Sequence, residues 1–189
     1  IMTTQNDETA LGQGSSVKME TQETMKIIAA GNIFTGTFER DGMGGILTLG
    51  RNFECRPNKL KGYYKYTSAK VSVSKGHLNE GEDDLCSLYI ALTDEQITVN
   101  TNKGIYFDPN SSAGIAYGSI SDEESKGADS FKEFTVDLEY KDLKRIPKYI
   151  IVVASSSKYG DYMEGGKGST MWLDDLELVY PKSMEEVRK

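Results

Sequence analysis

Four acidic side chains near the end of the chain are the first candidates for chemistry. Asp161, Asp174, Asp175 and Glu177 lie close together in sequence, around the only tryptophan, Trp172. Two carboxyls held about 5 to 9 Å apart across a cleft, one protonated and one ionised, can cleave a glycosidic bond. Asp175 and Glu177 stand two apart in a strand-like run and so share a face. Leu173, however, occupies the position where a third acid would extend the pattern, and outward carboxylates on a solvated strand explain the pair more simply. Nucleophilic catalysis has no better footing. The sole histidine, His77, sits in a polar, turn-like stretch with no nucleophile motif around it, and reads as exposed and idle. Cys55 and Cys86 lie within Phe53-Glu-Cys-Arg56 and Leu85-Cys-Ser-Leu88. They read as two buried free thiols rather than a disulfide, and with one histidine they are too few for a zinc centre. No catalytic residue is assigned.

Binding chemistry is better supplied. Sugars present C–H faces that pack on aromatic rings, and hydroxyls that pair with forked donors and acceptors. Arg56, Tyr63, Lys65, Tyr159, Asp161, Tyr162 and Trp172 are the candidates for such a site. Each also has an ordinary structural explanation, since tyrosines and a lone tryptophan commonly fill sandwich cores and Arg56 could brace a turn. The loop Ser157-Lys-Tyr-Gly-Asp-Tyr-Met-Glu-Gly-Gly-Lys167 is the strongest group, because its glycines permit unusual backbone and loops carry function on rigid scaffolds.

The elements that must position these residues read as strands. A chain of 189 residues with 19 glycines, 11 tyrosines and four prolines suits many short strands and tight turns, and one domain is the default at this length. The 22 basic against 29 acidic residues, a net charge of -7, and the lack of any basic run argue against a nucleic-acid partner. No apolar run approaches the roughly 20 residues of a membrane-spanning helix. Residues 1–12 are polar and aperiodic, which predicts a disordered leader or linker remnant, and the leading Ile1 suggests a longer precursor. In Leu60-Lys-Gly-Tyr-Tyr-Lys-Tyr66, alternation places Leu60, Gly62, Tyr64 and Tyr66 on one face and Lys61, Tyr63 and Lys65 on the other. Phe134, Val136, Leu138 and Tyr140 likewise share a side, as do Val17 and Met19. Leu85 to Leu92 reads as a buried strand and Gly76 to Asp84 as a solvated loop, while Thr93 to Ser112 reads as a long connection. In the closing strand, Trp172, Asp174, Leu176, Leu178 and Tyr180 fall on one face. Residues 182–189 form a tail with a capping box from Ser183 to Glu186. About nine strands without repeats predict an all-β, antiparallel β-sandwich of jelly-roll type over 13–181.

The order and spacing of Gly31-Asn-Ile-Phe-Thr-Gly36, Arg56-Pro57, Leu60 to Tyr66, Pro147-Lys-Tyr149, Ser155-Ser-Ser-Lys-Tyr-Gly-Asp161 and Gly168 to Tyr180 resemble the putative carbohydrate metabolism domain of gut bacterial surface proteins. The resemblance implies a fold similar to carbohydrate-binding modules. It also implies a polysaccharide or oligosaccharide partner and an extracytoplasmic place, at the cell surface, as in a lipoprotein, or in the periplasm, with an N-terminal immunoglobulin-like domain in the full-length protein. No cofactor is required. Such jelly rolls often hold a structural calcium near the terminal strands, for which Asp174 or Asp175 could supply a carboxylate. Read this way, the chain is a non-catalytic glycan-binding or glycan-processing accessory module. The alternatives are a structural or adhesive domain that binds protein partners and, third, a glycoside hydrolase.

Overall fold

The computed structural model describes residues 2–42 and 44–182, and every described regular element longer than one helical turn is a strand. In chain order these are β1 (Thr3–Asn6), β2 (Ser16–Glu20), β3 (Gln22–Thr24), β4 (Ile27–Ala29), β5 (Asn32–Phe34), β6 (Gly36–Asp41), β7 (Gly44–Leu49) and β8 (Arg51–Asn52). They continue with β9 (Lys59–Thr67), β10 (Ser87–Thr93), β11 (Ile97–Asn100), β12 (Gly114–Ser119), β13 (Ala128–Asp137), β14 (Glu139–Tyr140), β15 (Tyr149–Ser155) and β16 (Thr170–Val179).

Two antiparallel sheets form the sandwich, ordered β1-β2-β16-β9-β13 and β14-β12-β10-β15-β5. When β2, β5, β9, β10, β12, β13, β15 and β16 are counted as first to eighth, the sheets read 1-8-3-6 and 2-7-4-5. That interleaving of two Greek keys is the jelly roll. A third sheet, β11-β7-β6, lies over part of the outer face of the second.

Alternation decides which side chains enter the core. Leu60, Tyr64 and Tyr66 of β9 are buried, as are Phe134 and Val136 of β13 and Met171 and Leu173 of β16. They meet Leu88, Ile90, Leu92 and Ala154 from the second sheet in one apolar cluster, where truncating a large aliphatic residue to Ala would cost about 2–5 kcal/mol. Tyr64 and Tyr66 remain compatible with the core because each phenol donates to a backbone oxygen, that of Glu124 at 3.0 Å and of Ser156 at 3.1 Å. Gly62 is the one position in this stripe where a side chain does not fit. A Cβ there would stand 2.9 Å from Leu176 Cδ2 and 3.0 Å from the Asp174 carbonyl oxygen. A smaller cluster, built on Leu49, Ala91, Val99 and Ile151, seals the third sheet onto the second.

Three expectations need correction. Residues 3–6 of the expected leader form edge strand β1, paired with β2 from Thr3 opposite Met19 to Asn6 opposite Ser16. The closing strand does not keep one face throughout. Between Asp174, opposite Tyr63, and Glu177, opposite Lys61, one extra residue enters β16, and Asp175 takes a φ of 48°. This bulge reverses the alternation, so Trp172 and Asp174 face outward while Leu178, opposite Leu60, packs against the core. Cys86 is buried, but Cys55 is exposed, and both are free thiols. The capping box expected at Ser183 to Glu186 lies outside the described residues.

Candidate functional site

Two buried carboxylates, Asp84 from the β9–β10 connection and Glu164 from the loop after β15, tie these two connections together. Asp84 Oδ2 accepts hydrogen bonds from Ser157 Oγ at 2.6 Å, Ser169 Oγ at 2.8 Å and the Gly166 N–H at 2.8 Å. Its Oδ1 accepts from the Leu85 N–H at 2.8 Å. Burial still pushes the Asp84 pKa above its ordinary value, against the pull of these donors. Thr21 Oγ1 extends the cluster to Ser156 and Ser157 at 2.8 and 2.6 Å. Glu164 ties down the expected solvated loop. It accepts from the N–H groups of Lys75 at 2.8 Å, His77 at 3.2 Å and Leu78 at 2.5 Å, and lies 3.0 Å from His77 Nδ1. Its side chain reaches no solvent but lies shallow beneath that loop. Burial raises its pKa, yet the bonds from His77, Leu78 and Lys75 outweigh this and hold it below normal.

His77 is therefore not idle. Its ring stacks on Tyr159 at 4.4 Å between centroids and meets Tyr162 at 4.3 Å, while Tyr162 in turn stacks on Tyr106 at 3.9 Å. This pile of four rings joins three connections and fixes the single helical turn Gly160–Tyr162. Met163 ends the turn with a φ of 58°. A Cβ at residue 160 would come within 2.4 Å of Ala30 Cβ, so only glycine allows the turn to pack there.

Three adjoining recesses run past this loop over the outer face of the second sheet. The first, about 280 Å³, is lined by Tyr89, Phe107, Tyr117, Tyr159, Tyr162 and Lys158, among others. Tyr89 and Phe107 stack at 4.9 Å, with Tyr117 at 6.0 Å from Tyr89. The second, a narrow recess of about 60 Å³, shares Tyr89 and Lys158 with the first and adds Asn32, Phe34 and Asp161. The third, about 530 Å³, shares Asn32, Phe34 and Asp161 with the second and is flanked by Phe38, Arg40 and Thr101. Asp161 thus stands where the narrow and wide recesses meet. Its residue surface is open to solvent, but its carboxyl is ringed by protein atoms, and this desolvation pushes its pKa up. No hydrogen bond or ion pair joins the Asp161 carboxylate to any described residue. Burial also raises the Tyr89 hydroxyl, and the nearby Asp161 charge adds to the effect.

The seven candidate binding residues fall in three places. Tyr159, Asp161 and Tyr162 are brought together at this groove. Tyr63, Lys65 and Trp172 share the outer face of the other sheet, across the core from it. There Lys65 Nζ lies 4.5 Å and Lys18 Nζ 5.7 Å from the indole centroid, and Lys65 pairs with Glu8 at 2.5 Å. Lys65, held by Glu8 of the β1–β2 connection, thereby stands over the ring that Trp172 would need as a sugar platform. Arg56 lies at the opposite end of the sandwich, after β8, which pairs with the start of β15 rather than its end, about 20 Å away along a seven-residue strand. Its guanidinium bonds the carbonyls of Leu143 and Arg145 and sits 5.6 Å from the Tyr140 ring. Asp174, a calcium candidate, instead accepts from the N–H groups of Ala10 at 2.8 Å and Asp175 at 3.0 Å, bracing the bulge. Among the described residues, no group of three or more His, Cys, Asp or Glu side chains is placed to hold a metal ion.

The sequence reading missed Phe34, Tyr89, Phe107 and Tyr117. A signal existed for Tyr89, since strict alternation sets it opposite in sense to Leu88 and Ile90. Phe107 had none, because it lies in an aperiodic connection. A further recess of about 320 Å³ opens between the sheets, shares Phe34 with the groove and is mostly apolar, with Leu60, Val152, Leu176 and Leu178 in its walls.

Fold and groove together define a jelly-roll β-sandwich with an aromatic, carboxylate-bearing cleft beside its β15–β16 loop. The chain belongs to the putative carbohydrate metabolism domain family, whose profile matches residues 2–179. Among solved structures it is similar to a putative glycoside hydrolase of Bacteroides thetaiotaomicron VPI-5482, with 25% identity and a TM-score of 0.78, covering 97% of this chain and 58% of that one. A second, from Bacteroides vulgatus ATCC 8482 and also described as a putative glycoside hydrolase, gives 24% identity and a TM-score of 0.75 over 94% of this chain and 77% of that one. The chain thus spans under two thirds of the first relative's length. None of the curated proteins matches it in sequence.

Proposed function

We propose that this chain is a glycan-binding accessory module of an exported carbohydrate-processing protein, with its ligand lying along the groove beside Tyr159 to Met163. One observation carries the reading: stacked rings line a recess whose neighbouring carboxylate, Asp161, has no hydrogen-bond or ion-pair partner among the described residues. Rings of this kind pack against pyranose C–H faces, and a free carboxylate accepts from pairs of hydroxyls. Membership of a carbohydrate-metabolism family supports the same direction. Hydrolysis would need a second carboxyl facing Asp161. Asp122, the other acid lining these recesses, has a side chain 95% exposed and is paired with Lys158 at 3.1 Å.

Affinity electrophoresis through gels of plant and host polysaccharides tests the proposal. The wild type should be retarded by at least one glycan, Tyr89→Ala should lose about tenfold in affinity through the lost ring contact, and Tyr63→Ala on the far face should change nothing. Absence of retardation on every glycan would overturn the reading, and release of reducing ends would replace it with the hydrolase. The alternative of a protein-binding surface domain draws on the aliphatic recess around Leu176; it gains if Leu176→Lys abolishes a protein contact that Tyr89→Ala leaves intact.

A further inference from the structure

The groove runs across the strands of the second sheet, not along them. Phe34, Val153, Tyr89 and Ser119 are register neighbours on β5, β15, β10 and β12, so the row from the wide recess to the first spans about 15 Å at the usual distance between strands. Its parts are unequal. The recesses at the two ends, about 280 and 530 Å³, match the roughly 300–1,000 Å³ of small-ligand sites. The neck between them, about 60 Å³, has room for a few waters and not for a sugar ring. A ligand that fills both ends is therefore a chain that passes over the neck.

The wide recess has sugar-binding chemistry of its own. Phe38 and Arg40 stand two apart on β6, so they share a face, and both line this recess. The Phe38 side chain is exposed, at 60%, yet seated, because a Cβ on residue 45 would run into its ring. Gly44 in the same way leaves the space that Thr101 and Asn102 occupy. These two glycines make a low floor beneath an open aromatic wall. Among the described residues, the Arg40 guanidinium is engaged only through Nε, which donates to the Gly42 carbonyl at 3.3 Å, so its terminal nitrogens remain as donors. Asn32, whose amide nitrogen donates to the Ala30 carbonyl at 3.4 Å, and Asp161 supply acceptors in the same lining. A ring face with donors and acceptors around it suits the C–H face and hydroxyls of a sugar.

We propose that the wide recess is a second sugar subsite, built on Phe38 and Arg40, and that the groove binds a stretch of oligosaccharide filling both ends rather than a single residue. This rests on the glycan-binding reading and deepens it by setting the length of the ligand. Phe38 makes length count, since a chain held at Tyr89 and Phe107 reaches its ring only after crossing the neck.

Calorimetric titration with size-fractionated oligosaccharides, disaccharide to hexasaccharide, prepared from each polysaccharide that retards the wild type, reads the second subsite directly. Affinity should rise by about tenfold or more from the shortest to the longest member, as a second contact is added to one already made. In Phe38→Ala that rise should shrink at least about fivefold, whereas Phe38→Tyr, which keeps the ring, should retain it. Tyr63→Ala on the far face should reproduce the wild-type series. An affinity that does not grow with chain length, or a rise that survives intact in Phe38→Ala, overturns the inference while leaving glycan binding in place. If no polysaccharide retards the wild type, the glycan-binding reading falls and this inference with it.

Discussion

Replacement of Asp84 tests whether the floor of the groove is held as described. Asp84→Ala removes an acceptor with four donors: the N–H groups of Leu85 and Gly166 and the hydroxyls of Ser157 and Ser169. Ser157 keeps a partner in Thr21, so the main loss falls on the buried Gly166 N–H, the half-buried Leu85 N–H and one hydroxyl. Each orphaned group costs about 1–3 kcal/mol, and removal of the buried charge returns part of that. The expected net loss is about 3–5 kcal/mol, a fall in Tm of about 6–20 °C for a chain of this length. Asp84→Asn should lose less, about 1–2 kcal/mol, since one amide oxygen can still accept from Gly166 and both serines while only Leu85 faces the wrong group. The two variants also differ in pH behaviour. Burial holds the Asp84 carboxyl above its ordinary 3.8, so the folded protein binds that proton more tightly than the unfolded chain. Its contribution is full below pH 3.8 and fades as pH rises through the folded value. Urea unfolding at several pH values should therefore show the wild type gaining on Asp84→Asn as the solution is acidified. An Asp84→Ala variant within about 1 kcal/mol of wild type, or a wild type that gains nothing on Asp84→Asn in acid, would refute this account of the floor.

Glu164 behaves in the opposite sense. Its pKa is held below the ordinary 4.5, so its contribution is full above about pH 4.5 and is lost as pH falls through the folded value; proteolysis near residues 75–78 should quicken there, and Glu164→Ala should be cleaved readily at neutral pH. Asp175→Gly should stabilise the fold by about 0.5–1 kcal/mol, because the bulge residue has a φ of 48° that only glycine adopts freely, whereas Asp175→Val should destabilise it; chemical denaturation measures both. One thiol per chain should react in the native state. Cys55 is exposed, whereas burial pushes the Cys86 pKa up to about 12, so a thiol reagent should count one group in buffer and two in denaturant.

The jelly roll could be read from the sequence where a strand buries one face and wets the other. β9 alternates without a break from Lys59 to Thr67, and β13 does so around Phe134 and Val136, so period two sorted their side chains correctly. The closing strand was sorted correctly only in part, because a bulge is a change of register specified by neighbours and not by composition. Asp174 stabilises it by reaching Ala10, 164 residues away in sequence, a contact that no local pattern encodes. The candidate site shows the same divide. Loop 157–167 stood out through its glycines and tyrosines, but two of its supports, Asp84 and His77, come from a stretch that looked like ordinary solvated loop. Polar residues there are buried because distant backbone donors converge on them. The third sheet and Phe107 were illegible for a related reason, since their apolar partners lie on the outer face of another sheet.

The interleaved strand order also bears on when the groove comes into existence. The site loop joins β15 to β16, the seventh and eighth strands of the roll, and each lies inside its own sheet between strands made much earlier in the chain. β16 pairs with β2 from Thr170 opposite Glu20 onward, so closing it means bridging nearly the whole polypeptide, and pairings of such long separation form slowly. Until both strands have inserted, the Asp84 socket, the pile of rings and the Asp161 carboxylate have nothing to stand on. Ligand capture should therefore appear only with the last step of folding, which would make binding itself a clock for completion of the roll.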